Sequence, residues 1–203
     1  MTENKTILIA TRNKGKAKEF EALFNSKGYT ITTLLDHPDI EDVEEIGRTF
    51  QANALLKAET IAKELNMLVL ADDSGLIVDV LHGQPGVYSA RYAGEEKNDA
   101  KNNAKLLVEL ADYNDNERQA HFHCSLALAH PDKESLVIDG RLDGEITGVP
   151  RGEYGFGYDP LFYVPNKGKT LAECSQIEKN EISHRADALK KLQHHLDEWL
   201  IDQ

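Results

Sequence analysis

The chain has 203 residues, 40% hydrophobic and 29% charged, with 23 Lys and Arg against 35 Asp and Glu for a net charge of −12. That length and composition suit a folded chain with a sizeable core, as one large domain or two small lobes over residues 1–203, and argue against disorder. The acidic balance argues against a nucleic-acid polymer as partner, and no apolar run approaches the ~20 residues needed to cross a bilayer.

In chain order, Ile7-Leu8-Ile9-Ala10 reads as a short buried strand. No signal-peptide pattern precedes it. A helix is expected over 14–27, with Ala17, Phe20, Leu23 and Phe24 on one face and Gly28 as its stop. Residues 29–35 read as a second strand and 36–47 as an acidic loop. Thr49 can cap a helix to Leu65 that turns Phe50, Ala54, Ile61 and Leu65 inward. A third strand is expected over 67–71, and a helix capped by Asn98 or Asp99 runs to about Leu110. Residues 118–130 alternate, placing Ala120, Phe122, Cys124, Leu126 and Leu128 on one side, with 134–147 as hairpin partner. His121 and His123 fall on the opposite side and are expected to be a solvated face, since no third metal ligand is suitably spaced. Residues 148–182 hold five Gly and three Pro and read mostly as loop. Ser183 caps a last helix with the stripe Leu189, Leu192, Leu196, Trp199 and Leu200. Crossover helices together with a hairpin imply an α/β fold with a mixed sheet. Cys124 and Cys174 are far apart and form no CxxC, which suits a reducing cytoplasm rather than a disulfide or zinc scaffold.

Charge is unevenly spread. Residues 5–27 carry six basic side chains against Glu19 and Glu21, while 36–45 carry six acidic ones and no Lys or Arg. Each run can be a solvated face; together they are also what a metal–polyphosphate site needs. Thr11-Arg12-Asn13-Lys14-Gly15-Lys16 lies between strand and helix, where backbone N–H groups and Lys favour an anion. It is not a Walker A loop, because Ala10 and Ala17 stand where Gly and Ser or Thr are needed. Asp72-Asp73-Ser74-Gly75 follows the third strand, where ligands bind in α/β sheets. Neighbouring side chains in extended chain point oppositely, so one of the two Asp faces the site, where it can hold Mg²⁺ and accept a proton from water. A plain turn is the competing interpretation. Gly155-Phe156-Gly157-Tyr158-Asp159-Pro160 offers rings and a close backbone to a flat base. Lys179, His184 and Arg185 are expected at the start of the last helix, where the dipole adds to their attraction for an anion or carbonyl. Asn53 and Lys57 share a helix face, and Lys16, Lys57 and Lys179 together could oppose a triphosphate. Gly83 to Arg91 reads as a tight turn presenting Tyr88 and Arg91.

Taken in order, TxNxxK, ADDSGLxVD, PGVYSAR, GFGYDP and EKNxISHR resemble the inosine/xanthosine triphosphate pyrophosphatases over Thr11 to about Leu192. These house-cleaning enzymes hydrolyse non-standard purine nucleoside triphosphates. The resemblance implies an elongated mixed sheet flanked by helices, in two lobes around a cleft, and a cytoplasmic homodimer. It implies that Thr11, Arg12, Asn13, Lys14, Gly15 and Lys16 contact phosphates. Glu44 and Asp73 would hold Mg²⁺, with Asp73 also the proton acceptor and Ser74 touching substrate. Phe156, Gly157, Tyr158 and Asp159 would receive base and sugar, with Lys179, His184 and Arg185 completing the site. Ile46 stands where a Thr often follows the acidic pair, which leaves Glu45 open as the metal ligand beside Glu44. Ala52 replaces a common Glu, removing one nearby acid. The implied reaction is attack of water on the α-phosphorus, giving the nucleoside monophosphate and pyrophosphate. Donors from His184 or Arg185 toward O6 would disfavour adenine. A related pyrimidine triphosphate pyrophosphatase and a non-catalytic nucleotide-binding module are the alternatives.

Overall fold

The computed structural model describes residues 5–201, apart from the side chains of Ala22 and Leu23. It contains β1 (Thr6–Ile9), α1 (Lys14–Ser26), β2 (Thr30–Thr33), α2 (Phe50–Leu65), β3 (Leu68–Val78) and α3 (Asp99–Glu109). β4 (Gln119–Ala129), β5 (Leu136–Ile146), β6 (Phe162–Val164), β7 (Lys169–Thr170), α4 (Gln176–Ile182) and α5 (His184–Ile201) follow. The strands form one seven-stranded sheet in the order β2-β1-β3-β4-β5-β6-β7. β1 pairs parallel with β2 and β3, while β6 pairs antiparallel with β5 and β7, so the sheet is mixed as expected. Among the described residues no helix is long and apolar enough to cross a membrane.

The chain divides into two compact units. The first comprises residues 1–73, 124–140 and 185–203, and the second 74–123 and 141–184. In the first unit the period-two alternation of β1 splits its residues between two cores. Ile7 and Ile9 join Phe20, Phe24, Leu70, Leu126, Leu192 and Leu196. Leu8 joins Leu34, Val69 and Ile61, together with Ala54, Ala58 and Ala62 of α2. Those three alanines recur every four residues, so one narrow face of α2 lies close against the strands. The inward stripe of α1 is borne out at Ala17, Phe20 and Phe24; Leu23, its other expected member, lies outside the described side chains. Trp199 packs on the same unit's core and donates through Nε1 to the Glu134 carbonyl at 2.9 Å. In the second unit Leu76, Val78, Leu106, Leu110, Phe122, Ile146, Leu161 and Phe162 form a separate core.

Two expectations change. β3 does not stop at Ala71 but runs on through Asp72, Asp73, Ser74 and Gly75 to Val78. These turn-forming residues sit in mid-strand, where the ladder and burial override local preference. His121 is 9% exposed rather than solvated, and burial pushes its imidazole pKa down. Residues 148–182 are mostly loop, as expected, with the short elements β6, β7 and α4 among them. The turn at Gly86–Arg91 does present its two side chains, with Tyr88 exposed and the Arg91 guanidinium 5.1 Å from its ring centre. Cys124 and Cys174 are both buried free thiols.

Candidate active site

In the first unit, the strand pleat sends the two adjacent carboxylates of β3 to different partners. Asp72 accepts from Lys16 Nζ, in the first turn of α1, at 3.3 and 3.4 Å, and from Arg185 Nε, second residue of α5, at 3.1 Å. Arg185 also lies 3.7 Å from Glu19. Burial opposes the Arg185 charge, but Asp72 and Glu19 outweigh it and hold the guanidinium protonated. Asp73 turns to α2 and accepts from Asn53 Nδ2 at 2.9 Å. Its carboxyl is pushed up to about 6, first by burial and then by the Glu45 charge, with Asn53 and Lys57 pulling the other way.

One turn further along α2, Lys57 Nζ donates to the Asp72 carbonyl at 3.0 Å and pairs with Glu45 Oε1 at 2.6 Å. Burial pulls its ammonium pKa down, but Glu45 and Asp72 outweigh that and raise it. Asn53 also directs the acidic loop, since its Oδ1 accepts from Gly47 N at 2.7 Å. A Cβ at Gly47 would come within 2.5 Å of that oxygen, so the close approach requires glycine. This anchor brings Glu45 to Lys57 and under the influence of Asp73, whereas Glu44 is exposed.

The start of α1 is a capped helix terminus. Thr11 Oγ1 accepts from Asn13 N at 3.0 Å, and Asn13 Oδ1 accepts from Gly15 N at 2.8 Å and Lys16 N at 3.2 Å. Lys14 is exposed. Arg12, expected on phosphate, is instead committed to the acidic segment. Its guanidinium donates to Asp42 Oδ1 at 2.9 Å and to the Leu34 and Ile40 carbonyls at 2.7 and 2.5 Å.

In the second unit, Asp159 folds back into its own turn. Its Oδ2 accepts from Phe156 N at 3.0 Å and from Lys179 Nζ at 2.6 Å, and both ion-pair side chains are 5% exposed. Gly155 has φ +77, and a Cβ there would lie 2.1 Å from the same carboxylate oxygen. The Lys179 ammonium sits 4.4 Å from the centre of the Phe156 ring, and Phe156 remains 41% exposed. Tyr158 is buried and donates to the Ser89 carbonyl at 2.7 Å, and burial raises its phenol pKa. It therefore braces the turn rather than receiving a base or sugar. His184 is buried and stacks on Phe122 at 4.9 Å with a 16° interplanar angle. Ser74 follows Asp73 in β3 and is half-buried.

The Ham1 family profile matches residues 7–195. The chain belongs to the Ham1 family. It is 55% identical over 193 residues to the dITP/XTP pyrophosphatase of Halalkalibacterium halodurans, covering 95% of this chain and 97% of that one. It is 52% identical over 188 residues to the dITP/XTP pyrophosphatase of Bacillus subtilis, covering 93% and 95%. Among solved structures, the Staphylococcus aureus Ham1 protein superposes with a TM-score of 0.88 at 46% identity, covering 96% of this chain and 99% of that one. The Coxiella burnetii HAM1 protein does so at 0.89 and 41%, with the same coverage.

Within this Ham1 chain the fold brings together Lys16, Lys57, Asn53, Asp72, Asp73 and Glu45 in one unit. Phe156, Asp159 and Lys179 meet in the other. Lys179 is not at the start of the last helix, as expected, but on α4, which Ser183 separates from α5. Arg185 is not available to a base: Asp72 and Glu19 take its guanidinium inside the protein. Sequence reasoning missed Glu19, whose partner is distant in the chain, and passed over Asp72 as the less important of an adjacent pair. The donor set fits a divalent cation. Asp73 and Glu45 are hard oxygen donors; burial first and then their mutual repulsion raise the Asp73 pKa, and a cation would relieve the repulsion. Among the described residues, no group of three or more His, Cys, Asp or Glu is placed to hold a metal.

Proposed function

We propose that the chain hydrolyses non-standard purine nucleoside triphosphates such as dITP, ITP and XTP to the monophosphate and pyrophosphate. The observation that carries this reading is the set of Asp73, Glu45 and Lys57. A buried carboxylate with a raised pKa lies under the charge of a second carboxylate, with a half-buried ammonium beside both. Relatives at about half identity are dITP/XTP pyrophosphatases.

Asp73 and Glu45, in place of Glu44, are the side chains that would hold a divalent cation, Mg²⁺ in our reading. When bound, that ion would offset polyphosphate charge and acidify water. Asp73 accepts the proton of the attacking water, and its raised pKa makes it the stronger base. Asn53 holds the Asp73 carboxylate in one orientation through its 2.9 Å bond. Lys57 and Lys16 stabilise the charge that grows on the leaving pyrophosphate. Lys16 can exchange its long contacts with Asp72, at 3.3 and 3.4 Å, for phosphate oxygens. Thr11, Asn13, Lys14 and Gly15 shape the anion-facing terminus of α1. Ser74, next to Asp73 in β3, touches substrate. For the base, Phe156 supplies a half-exposed stacking ring and Gly157 a close backbone, while Asp159 and Lys179 hold that turn. The stack of His184 on Phe122 supports the same unit. The family resemblance supports a homodimer, which sedimentation would test, and the two free thiols suit the cytoplasm.

A panel of dITP, ITP, XTP, dGTP, dATP and dCTP with pyrophosphate detection tests the reading. dITP, ITP and XTP are expected to turn over fastest; dGTP, dATP or dCTP as best substrate would overturn it. Asp73→Asn should lower kcat by ~10²-fold or more with substrate binding largely kept.

A further inference from the structure

Gly157 gives both of its backbone polar groups to side chains of one helix. Its N–H donates to Asp99 Oδ2 at 2.8 Å, and its carbonyl accepts from Asn103 Nδ2 at 2.9 Å. Asp99 and Asn103 stand four residues apart on α3 and so share a face. Gly157 adopts φ +61, and a Cβ there would meet nothing within 4 Å, so glycine serves the left-handed backbone and not a crowded approach. A residue with that freedom holds one orientation of its two peptide planes only when both are tied, and α3 ties both.

The neighbouring groups carry that constraint to the exposed ring. Phe156, one residue earlier, has its N–H on Asp159 and one ring face under the Lys179 ammonium. α3 reaches the other aromatic turn through Asn102, whose Oδ1 accepts from Ala93 N at 2.7 Å and whose Nδ2 donates to the Ala90 carbonyl at 2.9 Å. Tyr158 closes the tie on the Ser89 carbonyl. Stability explains the Gly157 clamp only in part, through the acidic charge of Asp99 in the first turn of α3. Asp99 is exposed. Asn103 keeps its Oδ1 buried with no hydrogen-bond partner among the described residues, an arrangement that weighs against the folded state.

We propose that Asp99 and Asn103 are positioning residues for base selection. Through Gly157 they hold the Phe156 ring and the turn backbone in the orientation that separates hypoxanthine and xanthine from guanine and adenine. This rests on the purine triphosphatase reading above.

The test uses the full chain, with Asp99→Ala, Asn103→Ala and Asp99→Asn, the last retaining an acceptor oxygen. Turnover of dITP, XTP, dGTP and dATP is measured beside calorimetric binding of dIMP and dGMP and the thermal midpoint. Both Ala variants should raise KM for dITP by ~10-fold, while kcat falls less than ~3-fold. The dITP-to-dGTP ratio of kcat/KM should fall by a similar ~10-fold, and the dIMP-to-dGMP affinity ratio should fall with it. Asp99→Asn should restore most of both ratios, and the thermal midpoint should hold. Folded Ala variants with unchanged ratios, or with an equal kcat loss on every nucleotide, would overturn the inference and leave the parent reading standing. A wild-type chain that neither hydrolyses nor binds purine nucleotides would overturn both.

Discussion

Asp72 and Asp73 are neighbours in sequence with different work, and the difference follows from the pleat. Asp72 is 5% exposed and answers two cations, Lys16 and Arg185. Arg185, itself 3% exposed, stands between Asp72 and Glu19. Truncating a buried cation leaves its partners charged and unsolvated, which costs more than the pair contributes. Arg185→Ala should therefore lower the unfolding free energy by about 3–5 kcal/mol in urea; a loss under about 1 kcal/mol would show the network to be well solvated. The choice between Glu44 and Glu45 also belongs at this scale. Adjacent acids in an irregular loop carry no periodicity, so the sequence leaves Glu45 open beside Glu44. The bond from Gly47 N to Asn53 accompanies the pairing of Glu45, and not Glu44, with Lys57, and nothing local encodes that contact.

At the scale of elements, α1, α2, α3 and the last helix were legible from apolar stripes and caps. Thr49 accepts from Ala52 N and Asn98 from Lys101 N, as the cap residues suggested. α4 was not legible, because seven residues inside a Gly- and Pro-rich stretch show too little periodicity. Its signal was the capping box: Ser175 Oγ accepts from Glu178 N at 3.2 Å, and Glu178 Oε2 accepts from Ser175 N at 2.8 Å. Glu178 also pairs with Lys169 at 2.7 Å. Lys169 first, and the Ser175 N–H next, bring its carboxyl from 4.5 down to about 2. A carboxyl depressed by folding adds stability above its unfolded pKa and loses it as pH falls through the folded value. The stability gap between wild type and Glu178→Gln should therefore be fullest above pH 4.5 and close toward pH 2. Urea midpoints across that range check it, and a gap independent of pH would refute the ion-pair account.

For the molecule as a whole, a cation that binds the folded chain and not the unfolded one must raise the thermal midpoint. At Mg²⁺ about 100 times above its dissociation constant the gain is about 2.7 kcal/mol. Asp73→Asn should lose most of that shift, while Glu44→Gln keeps it and Glu45→Gln does not; equal shifts in all three would place the ion elsewhere. The order of strands and helices through β5, the last helix, the mixed sheet, the caps of α2 and α3 and the five motifs were determined by the sequence itself, because periodicity, turn chemistry and capping act within a few residues. Tertiary structure alone decided that β3 carries its acids in mid-strand, that Arg12 and Arg185 serve internal carboxylates and carbonyls, and that His121 is buried. Each depends on charges and hydrogen-bonding groups that meet across tens of residues of chain, where burial and pairing outweigh any local preference.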